Sequence, residues 1–170
     1  MSTKIQKISV IGGLTALAMI FSYVEFLVPS LIPVPGAKIG FSNIVILLAM
    51  FAIGCGEAFI IGILKVFLTA LLFGNLLSFF MSLSGFLLSF FFMLYLKKWG
   101  KNSIPGISLG GGVFHNFGQL LAASVYIGNL SLAKWSFIFS IYGIITGLIT
   151  GFICKMIYER IKKYDWLSSR

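Results

Sequence analysis

The sequence predicts an all-α, polytopic membrane protein: one domain over residues 1–170, six transmembrane helices, both termini cytoplasmic. Three observations predict it. The chain is 59% hydrophobic and only 10% charged, too apolar for an ordinary soluble domain of 170 residues. Apolar runs such as 44–53 and 66–73 recur along almost its whole length. Its basic residues collect at the ends of those runs, and on one side of the bilayer that the runs define.

A hydrocarbon core needs roughly 20 apolar residues per crossing helix. The first helix spans about 5–27, after Lys4 and Lys7. It reads as a retained helix and not a cleaved leader, because the apolar run continues without a cleavage signal and more membrane segments follow. Pro29, Pro33 and Pro35 then forbid a regular helix. That segment stays apolar, as a loop does when it covers a cavity or dips into the interface. A short second helix over about 39–53 turns through Gly54-Cys55-Gly56 into a third, about 57–73. Gly74-Asn75 leads to a fourth over about 76–96, closed by Lys97, Lys98 and Lys101. A fifth covers about 104–127, with Gly110-Gly111-Gly112 in its first half. A sixth covers about 134–158 before a short basic tail.

Six crossings put both termini on one side, with the loop after the fourth helix. Those three places hold Lys4, Lys7, Lys97, Lys98, Lys101, Lys155, Arg160, Lys162, Lys163 and Arg170, while the opposite side holds Lys38 and Lys134. The bias makes the basic side cytoplasmic in a multi-pass cell-membrane protein. The net charge of +9 is therefore a topology signal and does not point to nucleic acid, since no polar face interleaves basic and aromatic residues. Cys55 and Cys154 sit in or beside apolar runs and read as small hydrophobes.

Function must lie in the few polar residues of the bundle, because a charge inside a membrane helix needs a partner, water or a ligand. Lys65, in the middle of the third helix, is the sharpest case: it either holds an anionic ligand group or completes an internal ion pair, with Glu25 for example. Glu25 near the outer end of the first helix receives a ligand donor or pairs with Lys38 or Lys65. Lys38 steers an anion inward or wets the interface, and Asn43 projects into the bundle or joins helices. Asn75 is a helix cap or a ligand group, and Glu57 fits an acidic residue at a helix start. His115, Asn116 and Gln119 form the densest polar cluster, with His115 and Gln119 on one face of the fifth helix. They bind a polar ligand or form a buried network. Ser78, Ser82, Gly85 and Ser89 make a small-residue stripe suited to packing more than to chemistry, and Gly12 and Ala16 make a smooth strip suited either to another membrane helix or to an internal packing face.

Enzyme chemistry has little support. The sequence carries no Walker loop, Ser-His-acid spacing or pair of Asp-rich motifs, and one histidine is a poor metal site. The expectation is a protein that performs no catalysis and carries no cofactor or metal.

The stretches Pro35 to Asn43, Phe73 to Ser78, Ser82 to Gly85 and His115 to Leu120 resemble the Gx transporter family, often labelled heptaprenyl diphosphate synthase component I. The likeness runs from about residue 8 to 158. That family in turn looks like the substrate-binding S components of energy-coupling-factor (ECF) transporters, six-helix proteins that bind solute near the outer face. The resemblance implies a transmembrane coupling subunit and two cytoplasmic ATPases as partners. It also implies a docking strip on the first helix, where Gly12 and Ala16 stand in place of two alanines. The solute-binding candidates are then Glu25, Lys38, Asn43, Lys65, Asn75, His115, Asn116 and Gln119. Lys38 and Lys65 favour an anionic group and the abundant aromatics a flat or apolar remainder, a description that flavin-like, quinone-precursor and isoprenoid diphosphate molecules all meet. Two other functions stay open: a non-catalytic membrane subunit of prenyl diphosphate synthesis, and a solitary permease coupled to protons through Glu25 or His115.

Overall fold

The computed structural model describes residues 4–27, 40–100 and 102–163, and these form six α-helices and one 3₁₀ turn. They are α1 (Lys4–Leu27), α2 (Ser42–Ala52), α3 (Cys55–Phe73), α4 (Leu76–Lys98), α5 (Ile104–Ile127), the 3₁₀ turn (Leu130–Trp135) and α6 (Ser136–Lys163). Four of them, α1, α3, α4 and α6, are long and apolar enough to cross a bilayer. The protein is a multi-pass membrane protein. The proline-rich loop and Lys38 lie outside the described residues.

The helix ends follow local chemistry. Asn75 caps α4, its Oδ1 accepting the Ser78 N–H at 2.8 Å. Ser103 caps α5 through the Gly106 N–H at 3.3 Å, and Pro105 sits in the first turn, where a missing N–H costs nothing. Gly128 ends α5 in the left-handed conformation at φ 70.

The second helix departs from expectation. It starts at Ser42 and not near residue 39, because Gly40 takes a φ of 88 that no helix contains. Its 11 residues rise only about 16 Å, half of a hydrocarbon core. Among the described residues α2 is thus a half-helix whose first turn lies inside the bundle. The sixth helix also differs: the 3₁₀ turn takes residues 130–135, and the helix runs on to Lys163.

Helix α5 matches the four apolar helices in length but carries His115, Asn116, Gln119 and a glycine run. It is the centre of the bundle and packs most extensively against α6 and α4. The contact with α6 is backbone on backbone. A Cβ on Gly112 would stand 2.3 Å from the Gly143 carbonyl oxygen, and one on Gly143 would stand 2.7 Å from that of Gly112. Small residues on both helices permit this approach, which recovers dispersion energy that lipid tails cannot match. Gly85 of α4 and Gly118 of α5 meet in the same way.

The N-terminal half is joined differently. Lys7 of α1 pairs with Glu57 of α3 at 3.0 Å, and at the other end Tyr23 and Phe26 pack on Phe73, so these two helices run parallel. Lys97 of α4 donates to the Met50 carbonyl at the end of α2, and its ammonium lies 4.7 Å above the Phe51 ring. Phe51 also touches Tyr158 of α6. These contacts gather Lys7, Lys97 and the basic C-terminal part of α6 at one end of the bundle.

Candidate functional site

A cavity of about 20 Å³ lies where the first turn of α2 meets α4, α5 and α6. Gly40 borders it from just before α2, Asn43 from the first turn of α2, Ser89 and Met93 from α4, and Ser108, His115 and Asn116 from α5. Thr146 and Thr150 border it from α6. Ser108, Ser89, His115, Asn116 and Thr150 are all buried, so the site is a polar well inside an apolar bundle.

Each polar side chain is held by identifiable forces. Asn116 donates its Nδ2 to the Phe139 carbonyl of α6 at 3.0 Å, a bond between helices that also fixes the amide's orientation. Gln119 Nε2 stands 3.2 Å from His115 Nε2. Ser108 and Thr150 share a hydrogen bond of 3.0 Å across the α5–α6 seam. Thr146 and Thr150 bond to carbonyls of their own helix, leaving oxygen lone pairs toward the cavity.

Asn43 and Lys65 stand equally far from the Gly54 turn along the antiparallel helices α2 and α3, at one depth in the bundle. Lys65 is buried at 6% exposure, although it does not border the cavity. Glu25 is placed elsewhere. Its Oε1 accepts the Phe41 N–H, and Tyr142 of α6 lies within electrostatic reach of the same carboxylate. Phe41 neighbours the cavity residue Gly40, so Glu25 anchors the turn that borders the well. The carboxylate also meets the positive end of the α2 dipole.

Of the predicted site residues, the structure brings Asn43, His115 and Asn116 together around the cavity, with Gln119 behind His115. Asn75 stands apart as the exposed cap of α4, beside an apolar groove of about 290 Å³ formed with Phe67, Leu71 and Phe79. A larger apolar groove of about 520 Å³ runs between α4 and α5 and is lined by Phe80, Leu87, Leu121 and Tyr126 among others. Both are lined almost entirely by apolar side chains. The serine stripe divides: Gly85 packs against the His115 backbone, whereas Ser89 borders the well.

Sequence reading missed Ser108, Thr146 and Thr150. A signal for two of them exists, the repeated Thr146-Gly147 and Thr150-Gly151 at helical spacing. No group of three His, Cys, Asp or Glu side chains among the described residues is placed to hold a metal ion.

The smooth strip on α1 faces outward. Gly12 has nothing within 4 Å of where a Cβ would stand, and Ala16 is exposed. Of the four long apolar helices α1 buries the smallest share of itself in the bundle.

The family model described as heptaprenyl diphosphate synthase component I matches residues 14–157. Neither a curated protein nor a solved structure matches the chain. With its half-length second helix and its polar central helix both inside the matched region, the chain belongs to the Gx transporter family, that of heptaprenyl diphosphate synthase component I.

Proposed function

We propose that this chain is the solute-binding membrane subunit of an ATP-driven transporter of the energy-coupling-factor type, with both termini cytoplasmic. The observation that carries the reading is the polar well among α2, α4, α5 and α6. Desolvating Asn43, Ser89, His115 and Asn116 in one place costs free energy that a purely structural bundle has no reason to spend. The small-residue strip of α1 supports a partner, since Gly12 and Ala16 leave a smooth helix face uncovered among the described residues. That partner would be a transmembrane coupling subunit carrying two cytoplasmic ATPases. Solute would move through changes in the exposure of the well, with no covalent step in this chain.

Native mass spectrometry of gently purified protein tests the reading. A retained small molecule is expected, together with ATPase subunits that co-isolate through α1. Asn43→Leu, at the border of the well, is expected to lower occupancy several-fold while the bundle stays folded. Uptake by the lone protein in ATP-free liposomes would overturn the dependence on ATPases.

The family description favours a second reading, a non-catalytic membrane subunit of prenyl diphosphate synthesis. It predicts stable co-isolation with a soluble synthase at the basic end, and indifference to substitutions in the well.

A further inference from the structure

The described helices are not joined alike. Within α4, α5 and α6, backbone lies on backbone. A Cβ on Gly147 would stand 2.7 Å from the Ser108 carbonyl oxygen, one on Gly151 2.7 Å from the Pro105 Cα, and one on Gly118 2.7 Å from the Ser84 carbonyl oxygen. Helices in such contact have no side-chain layer to deform between them, so they move as one body. The contact of α3 with α4 is built from rings instead. Phe59 packs on Phe86 and Phe90 with centroids 5.7 and 5.2 Å apart, and Phe67 packs on Phe79 at 5.3 Å. Gly62 of α3 receives the Phe86 ring and not a backbone, since a Cβ there would meet that ring at 2.1 Å. A layer of side chains can slide and re-pack where close-packed backbones lock.

Both ends of that aromatic seam are fastened. At one end Gly74 and Asn75 alone join α3 to α4. At the other, Lys97 of α4 donates to the Met50 carbonyl and stands 3.7 Å from Cys55 Sγ, so it holds both sides of the Gly54 turn. Helix α1 travels with α3 through the Lys7–Glu57 pair and through Tyr23 and Phe26 on Phe73. The remaining contact is the edge where α2, with α1 beside it, meets α5 and α6. Phe51 on Tyr158 closes this edge at the basic end, and Glu25 and Tyr142 lie within electrostatic reach of each other farther along. The well lies on the same edge, with Asn43 and Leu47 on one side and Ser108, His115 and Thr150 on the other. At about 20 Å³ it has room for one water-sized group, so a larger solute group enters only when a wall moves.

We propose that the bundle works as two leaves, α1–α3 and α4–α6, hinged along the Phe59–Phe86 aromatic seam, and that α2 is the moving wall of the well. Opening rotates the first leaf away from α5 and α6 at the end remote from Phe51 and Tyr158, and carries Asn43 off His115 and Asn116. The glycine seams keep Ser89, Ser108, Asn116 and Thr150 in fixed register throughout, so most of the well is preformed and one wall gates it. The use of this motion to admit solute rests on the solute-binding reading. The motion itself does not.

Pulsed electron resonance between paired nitroxide labels on the full chain in lipid nanodiscs tests the hinge, in a background of Cys55→Ser and Cys154→Ala. The pairs Ile20→Cys with Ile144→Cys and Val24→Cys with Phe137→Cys span the edge, and Leu76→Cys with Phe137→Cys lies within the second leaf. All these positions are exposed. The two edge distributions are expected to be about twice as wide as the one within the leaf. Edge distributions no wider than that one would overturn the hinge. Hydrogen exchange on the unsubstituted chain decides the matter where a substitution disturbs folding. Amides of residues 44–50 in α2 are expected to exchange about tenfold faster than those of residues 109–118 in α5. Equal rates would overturn the moving wall. The transporter reading fails separately: a chain that opens along this edge but never co-isolates with ATPases keeps its hinge and loses its proposed partners.

Discussion

Phe41 donates its backbone N–H to the Glu25 carboxylate, which fastens the first turn of the half-length helix α2 to the far end of α1. A helix that starts inside a membrane bundle leaves N–H groups without water, and an acceptor from a neighbouring helix is one way to satisfy them. Glu25, one of the side chains that sequence offered as a ligand group, thus has a structural task at the edge of the well. Removing the acceptor by Glu25→Ala is expected to cost about 1–3 kcal/mol, and Glu25→Gln less, because the amide oxygen still accepts. Chemical or thermal unfolding in detergent measures both, and equal costs for the two would show that charge and not the hydrogen bond holds the turn.

Glycines on different faces should behave in opposite ways. Gly143→Leu drives a side chain into the backbone of α5, where even a Cβ meets the Gly112 carbonyl at 2.7 Å. A loss of about 3 kcal/mol or failure to fold is expected. Gly12→Leu meets open space and is expected to change stability by about 0.5 kcal/mol or less, while lowering co-isolation of the proposed coupling subunit. Unfolding midpoints and pull-down yields, measured on the same preparations, separate the two effects.

The Asn116 amide donates from the well to the backbone of another helix, at the Phe139 carbonyl. Asn116→Leu keeps the volume and removes the donor, with an expected cost of about 1 kcal/mol. Hydrogen exchange around residues 136–143 should rise in that variant. Unchanged exchange there would mean that the glycine contacts alone hold α6.

At the basic end, Lys97 serves both the Met50 carbonyl and the Phe51 ring. Lys97→Met retains the apolar stem and loses both polar contacts, for an expected cost of about 1 kcal/mol. Faster exchange at the Gly54 turn would locate the loss. A change spread over the whole bundle would argue against a local clamp.

Sequence by itself determined the membrane class, the number and order of the helices, the turns at Gly54 and Asn75, and the clustering of His115, Asn116 and Gln119 on one helix. These follow from hydropathy, helical periodicity and turn chemistry, which are local properties of the chain. It also marked Asn43 and Lys65 as costly to bury, since that cost depends on residue type alone. The tertiary structure decided which of these residues meet. It set Asn43 beside His115 and Asn116, set Glu25 against the α2 turn, and left Asn75 at an exposed helix end. It also brought in Ser108, Thr146 and Thr150, whose polarity in sequence is ordinary for helices that can bond hydroxyls to their own carbonyls. The reason is geometric: the rotation and depth of one helix against another are fixed by glycine contacts between distant segments, Gly112 with Gly143 and Gly85 with Gly118. No local pattern encodes the pairing of those contacts.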